Sequence, residues 1–270
     1  MKTFLFFLGF SFLPVSLLSQ CFKGNTAVGA GEYCAYDVSY NVSAIWTNIA
    51  QVTFTVTKEQ MGGKDVLHFK CAARTYPVYD HIFKVRDYYE SWVNAATWQP
   101  VKYNRYTVHD KNTVLTTQFF YPSAGYGDYS YKLNSDPVEK GKVTLESCVN
   151  DMIASVFYFR TLQIENLRPG TAIPVKTLYG TQTFTIQLLA AGKEIVKDRN
   201  GKMYHCSKFR IRMPEGVSMF KANSEAIVYV TADKNKIPVY IEAEIRVGTV
   251  KVYLTEAKDL LNPLTALLSK

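Results

Sequence analysis

The sequence is poor in the residues and spacings that announce chemistry. It has four histidines (His68, His81, His109 and His205), scattered singly and without a His-Glu-x-x-His pattern. Five cysteines (Cys21, Cys34, Cys71, Cys148 and Cys206) include no Cys-x-x-Cys. That excludes the short-spaced zinc and redox motifs. There is no Gly-x-Ser-x-Gly elbow and no calcium loop, so a nucleophile or metal would have to be assembled by the fold alone. No cofactor and no metal are expected. After residue 19 no run of about 18 apolar residues occurs, so no transmembrane helix is expected in the mature chain. Internal repeats, low-complexity tracts and Pro/Ser-rich linkers are also missing.

What is present points to an exported β protein. Hydrophobic residues make up 47% of the chain, enough for a sizeable core rather than disorder. Nineteen Tyr and sixteen Phe favour strands, whose pleated, half-buried surface suits aromatic side chains. The net charge of +8 is interspersed along the chain, whereas a nucleic-acid protein gathers its charge on one face. No nucleic-acid partner is expected.

Lys2 precedes an apolar run from Phe4 to Leu13, and the small residues Ser16 and Ser19 follow, as in a secretory signal. We expect a signal peptide at 1–19 and one β-rich domain at 20–270, exported to the periplasm or associated with the outer membrane of a Gram-negative envelope. Leu18-Ser19-Gln20-Cys21 also resembles a lipobox with Cys21 as the lipidated residue, but Gln20 stands where Gly, Ala or Ser is usual. Ordinary cleavage is therefore the expectation and lipidation of Cys21 the alternative. Export permits disulfides. Yet Cys34, Cys71 and Cys206 fall within strand-like alternations, and with Cys148 they are expected to be buried and unpaired.

Period-two alternation runs through most of the chain. Cys34, Tyr36, Val38 and Tyr40 share one face, as do Val52, Phe54 and Val56. Gly62-Gly63 forms a turn before Leu67, Phe69, Cys71 and Ala73. Ile237, Val239, Ile241, Ala243, Ile245 and Val247 form one unbroken apolar face. Beyond Gly248-Thr249 the phase switches to Val250, Val252 and Leu254, as a two-residue hairpin requires.

One internal helix is expected from Asp151, with Asn150 or Asp151 as cap and Met152, Ile153, Val156, Phe157 and Phe159 as apolar stripes. A short C-terminal helix is expected at 262–268, with Asn262 as cap and Pro263 in the first turn. The predicted fold is all-β: a strongly curved antiparallel sheet forming a barrel or half-barrel around the internal helix.

Several segments in order carry a resemblance: Gly31-Glu32-Tyr33; Val85-Arg86-Asp87-Tyr88-Tyr89-Glu90-Ser91 with Trp98-Gln99-Pro100; Asp151 through Arg160; Val230-Thr231-Ala232-Asp233; and Ile237-Pro238-Val239. Together they resemble the domain-of-unknown-function family numbered 3108, exported bacterial proteins. The resemblance implies export and an all-β architecture with one helix. It implies no activity and carries over no catalytic residue.

Candidate functional residues follow from the faces. Tyr36, Val38, Tyr40, Phe54, Leu67, Phe69, Ile241, Ile245 and Val252 look inward and line whatever the sheet encloses. Arg160 is the candidate for holding an anionic group in that interior, with a structural ion pair as its plainer role. Lys208, Arg210 and Arg212 alternate with Phe209 and Ile211 as a basic stripe, either solvated or recognising phosphate-like anions. Glu242 and Glu244 share the solvent side of their strand and are ordinary surface charges. The leading functional expectation is a non-catalytic binding or carrier protein for an apolar or amphipathic small molecule. An envelope assembly or glycan-associated interaction module is the alternative, and a hydrolase ranks third.

Overall fold

The computed structural model describes residues 21–22, 24–41, 46–212, 224–245 and 247–269. The expected signal segment at 1–19 lies outside the described residues. Fourteen strands form one antiparallel sheet: β1 Tyr33–Asn41, β2 Trp46–Met61, β3 Lys64–Thr75, β4 Val85–Asn94, β5 Pro100–His109, β6 Asn112–Tyr121, β7 Tyr126–Leu133, β8 Glu139–Thr144, β9 Ala172–Tyr179, β10 Gln182–Lys197, β11 Met203–Arg212, β12 Glu225–Thr231, β13 Pro238–Glu244 and β14 Thr249–Lys258. Helix α1, Met152–Thr161, separates β8 from β9.

Every neighbour in the sheet is a sequence neighbour except one. The order runs from β8 back to β1, then across to β14 and back to β9. The β1–β14 ladder, from Tyr33 opposite Lys258 to Asn41 opposite Thr249, joins the two halves. The edge strands β8 and β9 do not pair, so the sheet curls without closing. At this seam Asn150 donates to the Lys176 carbonyl at 2.9 Å and accepts from the Leu178 amide at 2.7 Å. The segment leading into α1 thereby satisfies part of the free edge of β9.

Local chemistry explains the elements. Gly62 and Gly63 both have positive φ (57° and 74°), as a two-residue turn between β2 and β3 demands. The Asp151 carboxylate accepts from the Ile153 and Ala154 amides at 2.9 and 2.8 Å and caps α1 as expected. The helix is apolar nearly all round because it is enclosed on several sides. Phe157 stacks on Phe69 of β3 with ring centres 4.0 Å apart and meets Phe54 of β2 edge-on at 6.0 Å. Phe159 meets Phe209 of β11 edge-on at 5.1 Å.

Three expectations need correction. First, residues 262–268 form no helix. His205 donates to Ala266 and Leu268 to Met203, both at 2.9 Å, and Asn262 donates to Asn235 Oδ1 at 3.0 Å. With its backbone bonded to β11 and to Asn235, this segment lies as an irregular cover, and Leu264 packs against the core cluster that contains Tyr204 and Cys206. Second, Thr249 is not part of the turn between β13 and β14: it pairs with Glu244, and the Ile245 amide donates to the Gly248 carbonyl at 3.2 Å. The shared face survives, with Ile241 opposite Val252 and Ala243 opposite Val250. Gly248 is required there: a Cβ would lie 2.0 Å from the Asn41 carbonyl oxygen.

Third, Cys148 is not free but forms a disulfide with Cys21, whereas Cys34, Cys71 and Cys206 are buried and unpaired.

Candidate functional site

The inward faces of β1, β2, β13 and β14 meet α1 around a cavity of about 230 Å³. Register places them there. Tyr36 of β1 sits opposite Val52 of β2, Cys34 sits opposite Phe54, and Ile241 of β13 sits opposite Val252 of β14. Residues opposite in a ladder share a face, so alternation on separate strands becomes one wall. Helix α1 supplies the other wall through Val156 and Phe157. Val156 is 41% exposed, which marks the open side.

Beneath the cavity lies a buried ion pair. Arg160 and Glu32 are 3% and 2% exposed. Arg160 Nη1 donates to Glu32 Oε1, and Nη2 donates to Glu32 Oε2 at 2.9 Å. The guanidinium also donates to the Ala27 carbonyl at 3.1 Å and the Asn235 carbonyl at 2.8 Å. Its fork is thus engaged by the protein itself. Arg160 points inward but is a structural staple rather than an open anion holder. Burial, and next to it the charge of Glu32, pushes the neighbouring Cys34 thiol up to about 12, so it is inert near neutral pH.

Of the sequence candidates, the structure brings Tyr36, Phe54, Ile241, Val252 and Arg160 together at this cavity. Phe69 and Leu67 are instead packed into the core beneath α1. Tyr40 lies at the end of β1, where its hydroxyl donates to the Val247 carbonyl at 2.8 Å. Ile245 falls in the turn after β13, away from the lining.

The basic stripe is on the outer face and is matched by carboxylates. Lys208 lies 2.8 Å from Glu194, and Arg210 and Arg212 lie 3.5 and 3.8 Å from Glu225. Lys208 also sits over the Tyr229 ring at 5.3 Å, beside a row in which Tyr229, Tyr240 and Tyr253 follow at 5.7 and 4.9 Å.

Two histidines meet carboxylates. His68 lies between Glu59 (2.6 Å) and Glu90 (3.1 Å) and stacks on Trp92. His109 lies 2.9 Å from Asp87, which also accepts from the Tyr89 hydroxyl at 3.1 Å. Asp87 and Glu90, three apart on one strand, face opposite sides and do not act together. Among the described residues no Ser or Cys side chain is hydrogen-bonded to either ring, and no group of three or more His, Cys, Asp or Glu residues is arranged to hold a metal ion. No helix among the described residues is long and apolar enough to cross a membrane.

Sequence reasoning missed Glu32 and Arg105. Glu32 stands in a motif singled out for resemblance, but its partner lies 128 residues away. Arg105 occupies a stretch of β5, Tyr103-Asn104-Arg105-Tyr106-Thr107, where neither parity is clearly apolar, so only the register shows that it faces inward.

Comparison with known proteins adds a family and a fold. A family described as "Protein of unknown function (DUF3108)" matches residues 35–255. No curated protein matches the chain. Among solved structures, the chain is similar to a beta-barrel-like protein of the domain of unknown function DUF1849 from Brucella abortus. The identity is 9% and the TM-score 0.52, over 86% of this chain and 99% of that one. A putative lipoprotein from Parabacteroides distasonis aligns with 87% of this chain and 100% of its own at 11% identity, with a TM-score of 0.30.

Proposed function

We propose that this chain, which belongs to the DUF3108 family of proteins of unknown function, is a non-catalytic envelope protein that binds an apolar molecule or the apolar tail of an amphipathic one. The observation that supports the reading is the cavity of about 230 Å³ between α1 and the β1, β2, β13 and β14 wall, lined almost wholly by carbon. An engineered apolar cavity of about 150 Å³ stays dry and takes up benzene, so a space of this kind favours an apolar guest over water. It is smaller than the roughly 300–1,000 Å³ of drug-sized sites, which favours a single chain or ring system. The apolar run at 4–13 and the Cys21–Cys148 disulfide, a bond that persists in oxidising compartments, support the envelope location.

The test is uptake of a fluorescent fatty acid by delipidated protein. Stoichiometric uptake is expected, and Ile241→Trp, which fills the cavity, should weaken it while the protein stays folded. No uptake by folded wild-type protein, or equal uptake by a folded Ile241→Trp variant, sinks the reading.

An interaction module has its own support on the outside of the sheet. A groove of about 390 Å³ over β4–β7 presents Tyr88 and Tyr106, 48% and 40% exposed, with ring centres 6.1 Å apart. Stacked rings flanked by Glu90, Asn104 and Lys132 suit a sugar's apolar face and its hydroxyls. Retention on a glycan array that Tyr88→Ala abolishes is the expected result. An array without any hit counts against it.

A further inference from the structure

We infer that the seam where the sheet fails to close holds a second binding site, built around Arg105, for a small anion carried on a flat apolar body. The site is separate from the apolar cavity beneath β1 and does not rest on it. Arg105 lies on the inner face of β5, in register with Tyr89 of β4 and Thr116 of β6. Its side chain reaches a cavity of about 290 Å³ bounded by β5–β7, the start of α1 and the β9–β10 turn. Gln118 of β6 fixes that turn by donating to the Gly180 carbonyl at 2.6 Å. The mouth is therefore held by a tether across the seam.

The charge is what calls for a ligand. A guanidinium carries five N–H donors and does not lose its proton in proteins. Among the described residues, Arg105 makes one hydrogen bond, from Nη1 to the Tyr179 hydroxyl at 3.4 Å, and its guanidinium lies over the Tyr179 ring at 5.7 Å. Its Nε is buried without a hydrogen-bond partner among the described residues. Among the described residues no carboxylate lies within ion-pair distance of it. The inward carboxylates of neighbouring elements are committed elsewhere: Asp87 to His109 and Tyr89, and Asp151 to the α1 amides and Ser91. The contrast with Arg160 is instructive, since that interior arginine has its counter-ion built in.

The rest of the lining defines the ligand. Tyr131 and Thr116 bring hydroxyls to the same cavity, and Tyr103 donates to the Met152 sulfur at 3.7 Å. Val114, Met152 and Leu178 supply the apolar surface. A planar fork beside hydroxyls matches a carboxylate or phosphate, and the apolar surface with the Tyr179 ring matches an aromatic or short aliphatic body.

Full-length protein titrated with naphthalene-2-carboxylate, 2-naphthyl phosphate and the neutral naphthalene-2-carboxamide, by calorimetry and ligand-observed NMR, tests this. One anion should bind wild-type protein about tenfold or more tighter than the amide, as charge-assisted hydrogen bonds imply. Which anion binds tighter distinguishes a carboxylate ligand from a phosphate one. Arg105→Gln should erase the preference for anions while leaving fatty-acid uptake intact, and Ile241→Trp should do the reverse. Anions bound no better than the amide by wild-type protein, or a preference that survives Arg105→Gln, overturns the proposal. The wild-type comparison decides the matter even if the variant does not fold.

Discussion

Replacing Arg160 by Met removes a side chain that ties three distant segments together. Its guanidinium bonds Glu32, the Ala27 carbonyl and the Asn235 carbonyl, and both members of the ion pair are almost fully buried. Arg160→Met leaves the Glu32 carboxylate in the interior without a partner, a loss of about 3–5 kcal/mol for a buried pair. The two stranded carbonyls add about 1 kcal/mol each. The expected total, roughly 5–7 kcal/mol, is a large fraction of the ~5–15 kcal/mol that holds a typical domain together. Glu32→Met should cost about 3–5 kcal/mol by the same reasoning, because it strands the guanidinium. The double variant has no buried charge and only the two carbonyls left unmet, so its cost should fall well below the sum of the singles. The two single costs should therefore sum to clearly more than the cost of the double variant in a double-mutant cycle in urea. Arg160→Met costing under about 1 kcal/mol, or strict additivity of the two substitutions, would refute the assignment of this pair as an internal staple.

Three further perturbations test the surrounding packing and electrostatics. Phe157→Ala, which unstacks the ring from Phe69, should cost about 3–5 kcal/mol with an unchanged urea slope; a change within about 0.5 kcal/mol would place the side chain outside the core. Reducing Cys21–Cys148 should lower stability by about 2–5 kcal/mol, while Cys34, Cys71 and Cys206 should resist alkylation until the chain unfolds; native labelling of these three would contradict their burial. Burial lifts the Asp151 carboxyl to about 6, against the downward pull of the Ala154 amide, the Ser91 hydroxyl and the Ile153 amide. Because the folded value exceeds the unfolded value of about 3.9, the stabilisation is present below about pH 4 and is lost as pH rises through about 6. Asp151→Asn keeps a capping oxygen without the charge, so its stability relative to wild type should improve by about 2–3 kcal/mol between pH 4 and pH 7; a gap that stays constant would refute the shift.

The strand pattern was legible because a buried face imposes it residue by residue. Alternation put Tyr36, Phe54, Ile241 and Val252 on inward faces, and these do meet at one cavity. What alternation does not encode is which strands are neighbours. The β1–β14 ladder joins residues 33–41 to 249–258, and nothing local in either strand names the other. The same limit applies to the disulfide, whose cysteines are 127 residues apart. Local signals also misled where tertiary bonding was stronger. Asn262-Pro263 reads as a helix start, yet the Asn262 side chain donates to the Thr26 carbonyl at 2.8 Å and the chain beyond it bonds to β11.

The segments that carry the family resemblance have a structural purpose that only the fold reveals. Gly31-Glu32-Tyr33 supplies the carboxylate and Asp151 through Arg160 supplies the guanidinium. The loop that follows Val230-Thr231-Ala232-Asp233 supplies the Asn235 carbonyl, so all three meet at Arg160. Asp233 shapes that loop by accepting from the Thr231 hydroxyl at 2.8 Å and the Asn235 amide at 3.0 Å. Asn235 in turn donates to the Asn262 carbonyl at 3.0 Å, which fixes the C-terminal cover. An open sheet lacks the last ladder that would lock its curvature. The buried node at Arg160 provides a substitute by tying the helix inside the curl to the segment before β1 and to the loop between β12 and β13. The most recognisable residues therefore hold the shape. The residues proposed to meet a ligand belong to no such node: alternation gives the inward faces of Ile241 and Val252, while the place of Arg105 follows from register alone.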